Sequence, residues 1–225
     1  MKRVGSGTQK VEQELFDLFP KSRVLRMDAD TVGASHGHEA LLREFEEKKI
    51  PILLGTQMVA KGLDFENVTL VGVLDADLSL YAQNYHAAER TYSLLAQVVG
   101  RAGRGERPGR AVIQTYHPEN EVIQAAAKQD YETFYQNELR MRSLRRYPPF
   151  ADLFTLTVSG LEELRVIAAA RTLCDALRYA CSQPPLNGLE VEVLGPAGAP
   201  VVKVNNRYRY CVYLCGKGGS VLRRT

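Results

Sequence analysis

Short continuous apolar runs alternate along this chain with helical faces on which apolar residues recur every three to four positions. Residues 9–19 place Val11, Leu15, Leu18 and Phe19 on one helical face, and Pro20 closes the segment. Val24 to Asp28 then reads as a short strand, with Asp28, Asp30 and Thr31 at or just after its carboxyl end, where open α/β sheets bind ligands. Leu41, Leu42 and Phe45, set among Glu44, Glu46, Glu47, Lys48 and Lys49, mark an amphipathic helix of about three turns. Pro51–Gly55 and Val68–Leu74 are unbroken apolar runs, the pattern of parallel strands buried on both faces; Asp75 and Asp77 end the second. Ala88, Tyr92, Leu95, Ala96, Val99 and Ala102 share one face of a strongly patterned helix, and Ala111–Tyr116 is a further strand. Strands alternating with helices in this way predict a mostly parallel sheet with covered faces.

Residues 120–146 form one long helical pattern without glycine or proline, ending in Arg140, Arg142, Arg145 and Arg146 and stopped by Pro148-Pro149. That proline pair is the best domain boundary. Beyond it Leu153–Val158 is a strand, Glu162–Cys181 a helix, and Val201–Leu214 a second strand. Alternation along the latter puts Lys203, Asn205, Arg207 and Arg209 on one face and Val202, Val204, Tyr208 and Tyr210 on the other. The expected fold class is α/β: a parallel-sheet lobe over 1–118, a connecting helix over 119–147, and a small α+β domain with an antiparallel sheet over 148–225.

Composition narrows the functions only slightly. The chain has 225 residues and a net charge of +3, too mild to imply a nucleic-acid partner by itself. No apolar run is long enough to span a membrane, and Met1 to Gly5 lack the apolar core of a signal peptide. The four cysteines, at 174, 181, 211 and 215, form no close pair, so they read as reduced thiols of a cytoplasmic protein and no metal site is predicted.

Two stretches carry candidate chemistry. At the end of the patterned helix, Arg90, Gln97, Arg101 and Arg104 follow one another at spacings that stack their side chains in a row. Gly100 and Gly103 beside them are poor helix formers, and their size lets something bulky approach the backbone. Forked guanidinium donors with a cleared approach suit phosphate oxygens. A solvated basic helix end, favoured by the macrodipole, explains the same residues. The second stretch, Gly55 to Asp64, follows a buried strand. Thr56 and the glycine-bearing loop can offer a hydroxyl and backbone N–H groups to phosphate, Lys61 adds a charge, and Asp64 can accept from a sugar hydroxyl. An ordinary strand-to-turn connection is the alternative. In a parallel sheet the two stretches occupy neighbouring positions and can face a single crevice.

The run Gln97-Val98-Val99-Gly100-Arg101-Ala102-Gly103-Arg104 resembles the arginine-finger motif of superfamily-two helicases, and Thr56 to Asp64 resembles the preceding motif of the same second RecA-like lobe. Leu74-Asp75-Ala76-Asp77, Ala88-Glu89-Arg90, Arg146-Tyr147-Pro148-Pro149-Phe150 and Leu194-Gly195-Pro196-Ala197 narrow the resemblance to the primosomal replication-restart helicases, over nearly the whole chain. That resemblance implies an ATP-dependent 3′–5′ DNA helicase of the bacterial cytoplasm and nucleoid. Arg101 and Arg104 would contact the γ-phosphate of ATP bound to a first lobe, Gln97 would couple nucleotide state to the lobe interface, and Gly62 and Asp64 would line the nucleotide side. Thr56 and Lys61 would face the DNA backbone. The Lys203, Arg207 and Arg209 face would touch nucleic acid, with a solvated strand face as the alternative reading. The implied cofactor is ATP with Mg, held mainly by the first lobe; zinc belongs to the full-length family and is not expected here. Implied partners are forked or single-stranded DNA, replisome-loading proteins and single-strand-binding proteins, with no membrane.

The departures shape the expectation. No G-x-x-x-x-G-K-[ST] run occurs, nor an acidic metal-binding box, nor the family's zinc-binding cysteine cluster upstream of Gly5. The resemblance expects a further helix and strand after Arg224-Thr225, and Asn84 and His86 stand where relatives usually carry Asp and Arg. The chain therefore reads as a carboxy-terminal part of such a helicase, not catalytically competent alone. A non-catalytic DNA- or replisome-binding module and an inactive truncated fragment are the rival expectations.

Overall fold

The computed structural model describes residues 7–28, 37–56, 68–82, 84–100 and 109–217. The chain divides into two compact units, Met1–Phe134 and Tyr135–Thr225. The first contains α1 (Thr8–Leu18), β1 (Val24–Met27), α2 (His38–Glu47), β2 (Ile52–Gly55), β3 (Leu70–Val73), the single turn α3 (Asp77–Leu80), α4 (Ala87–Val99), β4 (Arg110–Ile113) and α5 (Glu121–Ala127). The boundary falls inside α6 (Tyr131–Arg145). β1 pairs with β2 and β3 with β4, both in parallel, so the α/β class and the strand direction follow the alternating pattern.

The two pairs form separate sheets among the described residues, and their burial differs from the expectation of covered faces. Val73 and Ile113 pack with Tyr92 and Leu95 of α4, Ile123 and Ala126 of α5, and Phe134, whose ring stacks on that of Tyr92 with centroids 4.2 Å apart. Residues on the other face of β3–β4 are open: Leu70 is 62 % and Val112 55 % exposed. An unbroken apolar run cannot distinguish a strand covered on both faces from one covered on a single face. On α1 the apolar face also ends early. Val11 and Leu15 are half-buried, whereas Leu18 and Phe19, where the helix stops, are exposed.

Polar groups at the strand ends are mostly used for construction. Asp28 is buried after β1, accepting from the Thr8 hydroxyl at 2.7 Å and lying 3.1 Å from Arg26 Nε; Arg26 Nη1 also reaches Glu12 at 2.8 Å, so the set ties α1 to β1. Asp77 does the same between β3 and β4, accepting from the Thr115 hydroxyl at 3.1 Å and the Tyr116 backbone N–H at 2.9 Å. Thr91, 0 % exposed, places its Oγ1 2.8 Å from the Ala87 carbonyl oxygen and 3.0 Å from Ser79 Oγ, joining α3 to α4. Buried polar groups satisfied in this way fix the relative position of elements whose apolar contacts alone are less directional.

The predicted single helix over 120–146 is two helices. Lys128, Gln129 and Asp130 interrupt it, Gln129 with φ +55°, a left-handed conformation uncommon for a residue with a side chain. Asp130 restarts the chain: its carboxylate accepts from the Thr133 backbone N–H at 3.0 Å and from the Thr133 hydroxyl at 2.7 Å, an N-terminal cap. These bonds favour the ionised form, the hydroxyl more than the amide, and hold Asp130 below the ordinary aspartate value. A depressed folded-state pKa stabilises above the unfolded value and loses that contribution as pH falls through the folded one. Asp130→Ala is therefore expected to lower the thermal midpoint near neutrality, with the gap to the parent narrowing once pH drops below about 3.9. A gap that stays constant from about pH 6 to about pH 3 in thermal melts overturns this assignment.

The second unit carries β5 (Asp152–Gly160), α7 (Glu163–Cys181), β6 (Val191–Val204) and β7 (Arg207–Gly216), the strands forming an antiparallel sheet in the order β5-β7-β6. The expected strand over 201–214 is instead the tip of a hairpin. Val204 pairs with Arg207 and Lys203 with Tyr208 across Asn205-Asn206, whose φ values of +48° and +60° make the two-residue turn. Buried Val166, Ala170 and Cys174 of α7 lie against one sheet face, which includes Val212 and Leu214. At Gly160 an added Cβ would stand 2.8 Å from Val166, and Tyr210 donates to Glu163 at 2.9 Å, so both lie on the helix side. Gly216 closes the sheet's other end, where a Cβ would collide with the Glu190 carbonyl oxygen.

Candidate nucleotide and nucleic-acid site

The helix end singled out by the sequence is positioned by α4. Leu95, fully buried, and Tyr92 press the helix onto β3 and β4, which leaves Gln97 exposed two residues further on. His86 N donates to Asn84 Oδ1 at 2.9 Å and Ala87 N to the Asn84 carbonyl at 2.9 Å, so Asn84 shapes the turn that starts the helix. His86 Nδ1 lies 3.0 Å from Glu89 Oε2.

Gly100 closes α4, donating to the Ala96 carbonyl at 2.9 Å. The bulky group that its small size admits is Gln129. Gln129 Nε2 donates to that same carbonyl at 3.4 Å and would stand 2.9 Å from a Cβ built on Gly100. The Ala96 carbonyl oxygen thus accepts twice, from the Gly100 backbone and from the Gln129 side chain, which ties the loop after α5 to the end of α4. Residue-by-residue reading of the motif misses Gln129 because it lies on the loop after α5. The available signal was Asp130 followed by Thr133, a helix start inside an apparently continuous helical pattern.

Thr56 is exposed directly after β2, at the carboxyl end of the β1–β2 pair. Arg101, Arg104, Lys61, Gly62 and Asp64 fall outside the described residues, as does the single crevice expected of the two stretches, which rests on 57–67 and 101–108.

The basic face expected at Lys203, Arg207 and Arg209 is divided by the hairpin. Cross-strand partners share a face, so Lys203 lies with Tyr208 on one side and Arg207 with Arg209 on the other. Lys203 Nζ sits 4.5 Å from the Tyr208 ring centroid and 3.3 Å from its hydroxyl, a cation–π contact. Arg207 is exposed and donates to the Ser159 carbonyl at 3.3 Å, while Arg209 is half-buried opposite Ser159. The error lay in counting alternation through a turn, which resets which face each residue joins.

The cysteines do not fit a zinc ion. Cys174 Sγ donates to the Gly195 carbonyl at 3.4 Å, Cys215 Sγ to the Arg146 carbonyl at 3.0 Å, and Cys211 Sγ lies 3.5 Å from Thr157 Oγ1. Burial pushes the Cys215 thiol above its ordinary pKa, away from the thiolate that binds metal. Among the described residues no three His, Cys, Asp or Glu side chains converge, and no helix is long and apolar enough to cross a membrane.

Comparison with known proteins agrees with both units. Residues 5–106 match the family described as Helicase conserved C-terminal domain, and residues 143–224 match Primosomal protein N C-terminal domain. The chain is 48 % identical over 209 residues to Replication restart protein PriA of Bacillus subtilis, covering 92 % of this chain and 25 % of that protein. It is 43 % identical over 213 residues to the Synechocystis protein of the same name, covering 93 % and 24 %. With that of Rickettsia conorii it shares 37 % identity over 210 residues, covering 93 % and 31 %. The chain thus spans only about a quarter to a third of the length of these relatives. With a helicase C-terminal domain followed by the primosomal C-terminal domain, each over its own part of the chain, this sequence belongs to the PriA family of replication restart helicases, whose carboxy-terminal region it resembles throughout.

Proposed function

We propose that this chain supplies one side of the nucleotide cleft and part of the DNA-binding surface of an ATP-dependent 3′–5′ DNA helicase that restarts replication in the bacterial cytoplasm. The reading is carried by the exposed Gln97 at the end of α4. That helix is fixed by a buried core, and the chain continues from it into Arg101 and Arg104. In this reading Gln97, Gly62 and Asp64 line the nucleotide side, the two arginines meet the γ-phosphate, and Thr56 and Lys61 meet the DNA backbone. ATP with Mg²⁺, bound mainly by a lobe carrying the phosphate loop, supplies the transferable phosphoryl group and the free energy for movement. Residues 1–118 then act as the second RecA-like lobe, 119–147 as the connection, and 148–225 as a DNA-binding domain through Arg207, Arg209 and Lys203. Forked or single-stranded DNA is the substrate, and replisome-loading and single-strand-binding proteins are the partners.

The test is ATP hydrolysis with forked DNA, by this chain alone and mixed with a separately made lobe that carries the phosphate loop and acidic box. Hydrolysis only in the mixture is expected. Hydrolysis by the chain alone overturns the division of the site. Absence in both, with DNA binding intact, replaces this reading with a non-catalytic binding module.

A further inference from the structure

Gly100 and Gln129 each carry the residue type that suits the other's backbone. Gly100 has φ −66° and ψ −9°, helical values open to any residue, so conformation gives no reason for a glycine that weakens the end of α4. Gln129 has φ +55°, in the left-handed region that glycine occupies freely, yet it bears a long side chain. The two positions meet in space. Gln129 Nε2 stands 2.9 Å from where a Gly100 Cβ would be, and donates at 3.4 Å to the Ala96 carbonyl that also accepts from the Gly100 N–H. A side chain at 100 would take the place of the amide, and glycine at 129 would remove it. What both departures secure is this one contact. The turn that presents the amide is anchored as well: the Gln129 N–H donates to the Ala126 carbonyl at 3.1 Å and the Asp130 N–H to that of Ala125 at 2.9 Å. Both alanines are buried in the core that holds α4.

We propose that Gln129 is a positioning residue for ATP hydrolysis: its amide, seated over Gly100, fixes the last turn of α4, from which the chain runs into Arg101 and Arg104. This rests on the reading that those arginines meet the γ-phosphate, and adds the group that sets the helix end they follow. The contact falls on the two residues that immediately precede functional ones, Ala96 before Gln97 and Gly100 before Arg101. A guanidinium that stabilises charge only as it develops in the transition state depends closely on its placement. Loosening the helix end therefore lowers the turnover number and leaves ATP binding, supplied mainly by the other lobe, as it was.

The experiment compares the parent chain with Gln129→Gly and Gln129→Glu. Glycine suits the left-handed backbone and removes the amide; glutamate keeps the size and loses the donor, which leaves a carboxylate against a carbonyl oxygen. In the mixture with the lobe that carries the phosphate loop, each should lower the turnover number by about tenfold, with the KM for ATP and the DNA affinity within about twofold of the parent. The thermal midpoint of Gln129→Gly should equal or exceed the parent's, because the backbone strain is relieved. Gln129→Lys, whose ammonium can donate to the same helix-end carbonyl, should recover most of the turnover. In the chain alone, hydrogen exchange at the Val99 and Gly100 amides should quicken severalfold in the glycine and glutamate variants, while Thr91 and Leu95 keep their protection. A role confined to volume or backbone gives the reverse order, with glutamate like the parent and glycine more stable and fully active. Parent-like turnover by both variants overturns the assignment of Gln129 while leaving the division of the site in place. A fall in turnover matched by a rise in KM or by a lower thermal midpoint overturns it equally. Unchanged exchange at Gly100 in both variants overturns the clamp itself. No hydrolysis by the parent mixture overturns the proposed function, and this inference with it.

Discussion

Arg104→Ala is expected to lower DNA-stimulated ATP turnover by about 10³-fold or more, measured in the mixture of this chain with a lobe bearing the phosphate loop. DNA affinity should stay within about twofold, because the side chain is assigned to the nucleotide and not to the strand. The magnitude follows from the chemistry. As the γ-phosphoryl group separates, negative charge spreads over its oxygens, and a fixed guanidinium stabilises that charge only where it develops. Arg101→Ala should act in the same direction, and the double variant should fall short of the product of the two, since both are proposed to meet one phosphate group. Arg104→Lys should recover little, because an ammonium lacks the planar fork that matches phosphate geometry. Gln97→Ala should separate the two roles at this helix end by weakening the dependence of turnover on DNA more than turnover itself. Normal hydrolysis by Arg104→Ala would remove the arginine from the site.

The sequence made the order of elements legible because most of it is written in local periodicity. β1 to β4, α4 and α7 lie where apolar spacing places them, within a few residues at each end. What it obscured were the interruptions. A φ of +55° at Gln129 and a capping carboxylate at Asp130 break one helical pattern without any glycine or proline, the residues on which breaks are usually read. At Asn205-Asn206 two left-handed residues fold an apparently continuous strand back on itself, and the Asn pair was the available turn signal. That one turn moved Lys203 to the opposite face from Arg207 and Arg209. Gln97 lies on α4 as its local spacing predicts, whereas the row expected of it with Arg101 and Arg104 runs into residues outside the described ones. The contact of Gln129 with the end of α4 was not legible, because it joins residues 33 positions apart.

Leu95→Ala is expected to cost the first unit about 2–5 kcal/mol, towards the upper end of that range. Leu95 is 0 % exposed and belongs to a core shared by α4, α5, Ala76 and Phe134, so its side chain has packed neighbours from several elements. Truncation removes its transfer free energy and leaves a cavity, which collapses poorly because the Thr91–Ser79 hydrogen bond ties α4 to α3. A whole domain is stable by only about 5–15 kcal/mol, so a loss of this size brings the unit close to unfolding at ordinary temperatures. Leu95→Met, which nearly conserves volume, should cost less than about 1.5 kcal/mol. Leu94→Ala, at the half-buried neighbouring position, should fall between the two. Denaturant unfolding followed by hydrogen exchange reads the outcome separately for each unit: amides of α4 and β3 lose protection, while those of β5 and β7 keep theirs. A loss below about 1 kcal/mol would mean that α4 is not anchored through this residue. The same variant bears on function. Gln97 stands two positions beyond Leu95 on the same helix, so loosening that anchor should impair turnover in the mixed assay even at temperatures where the unit remains folded.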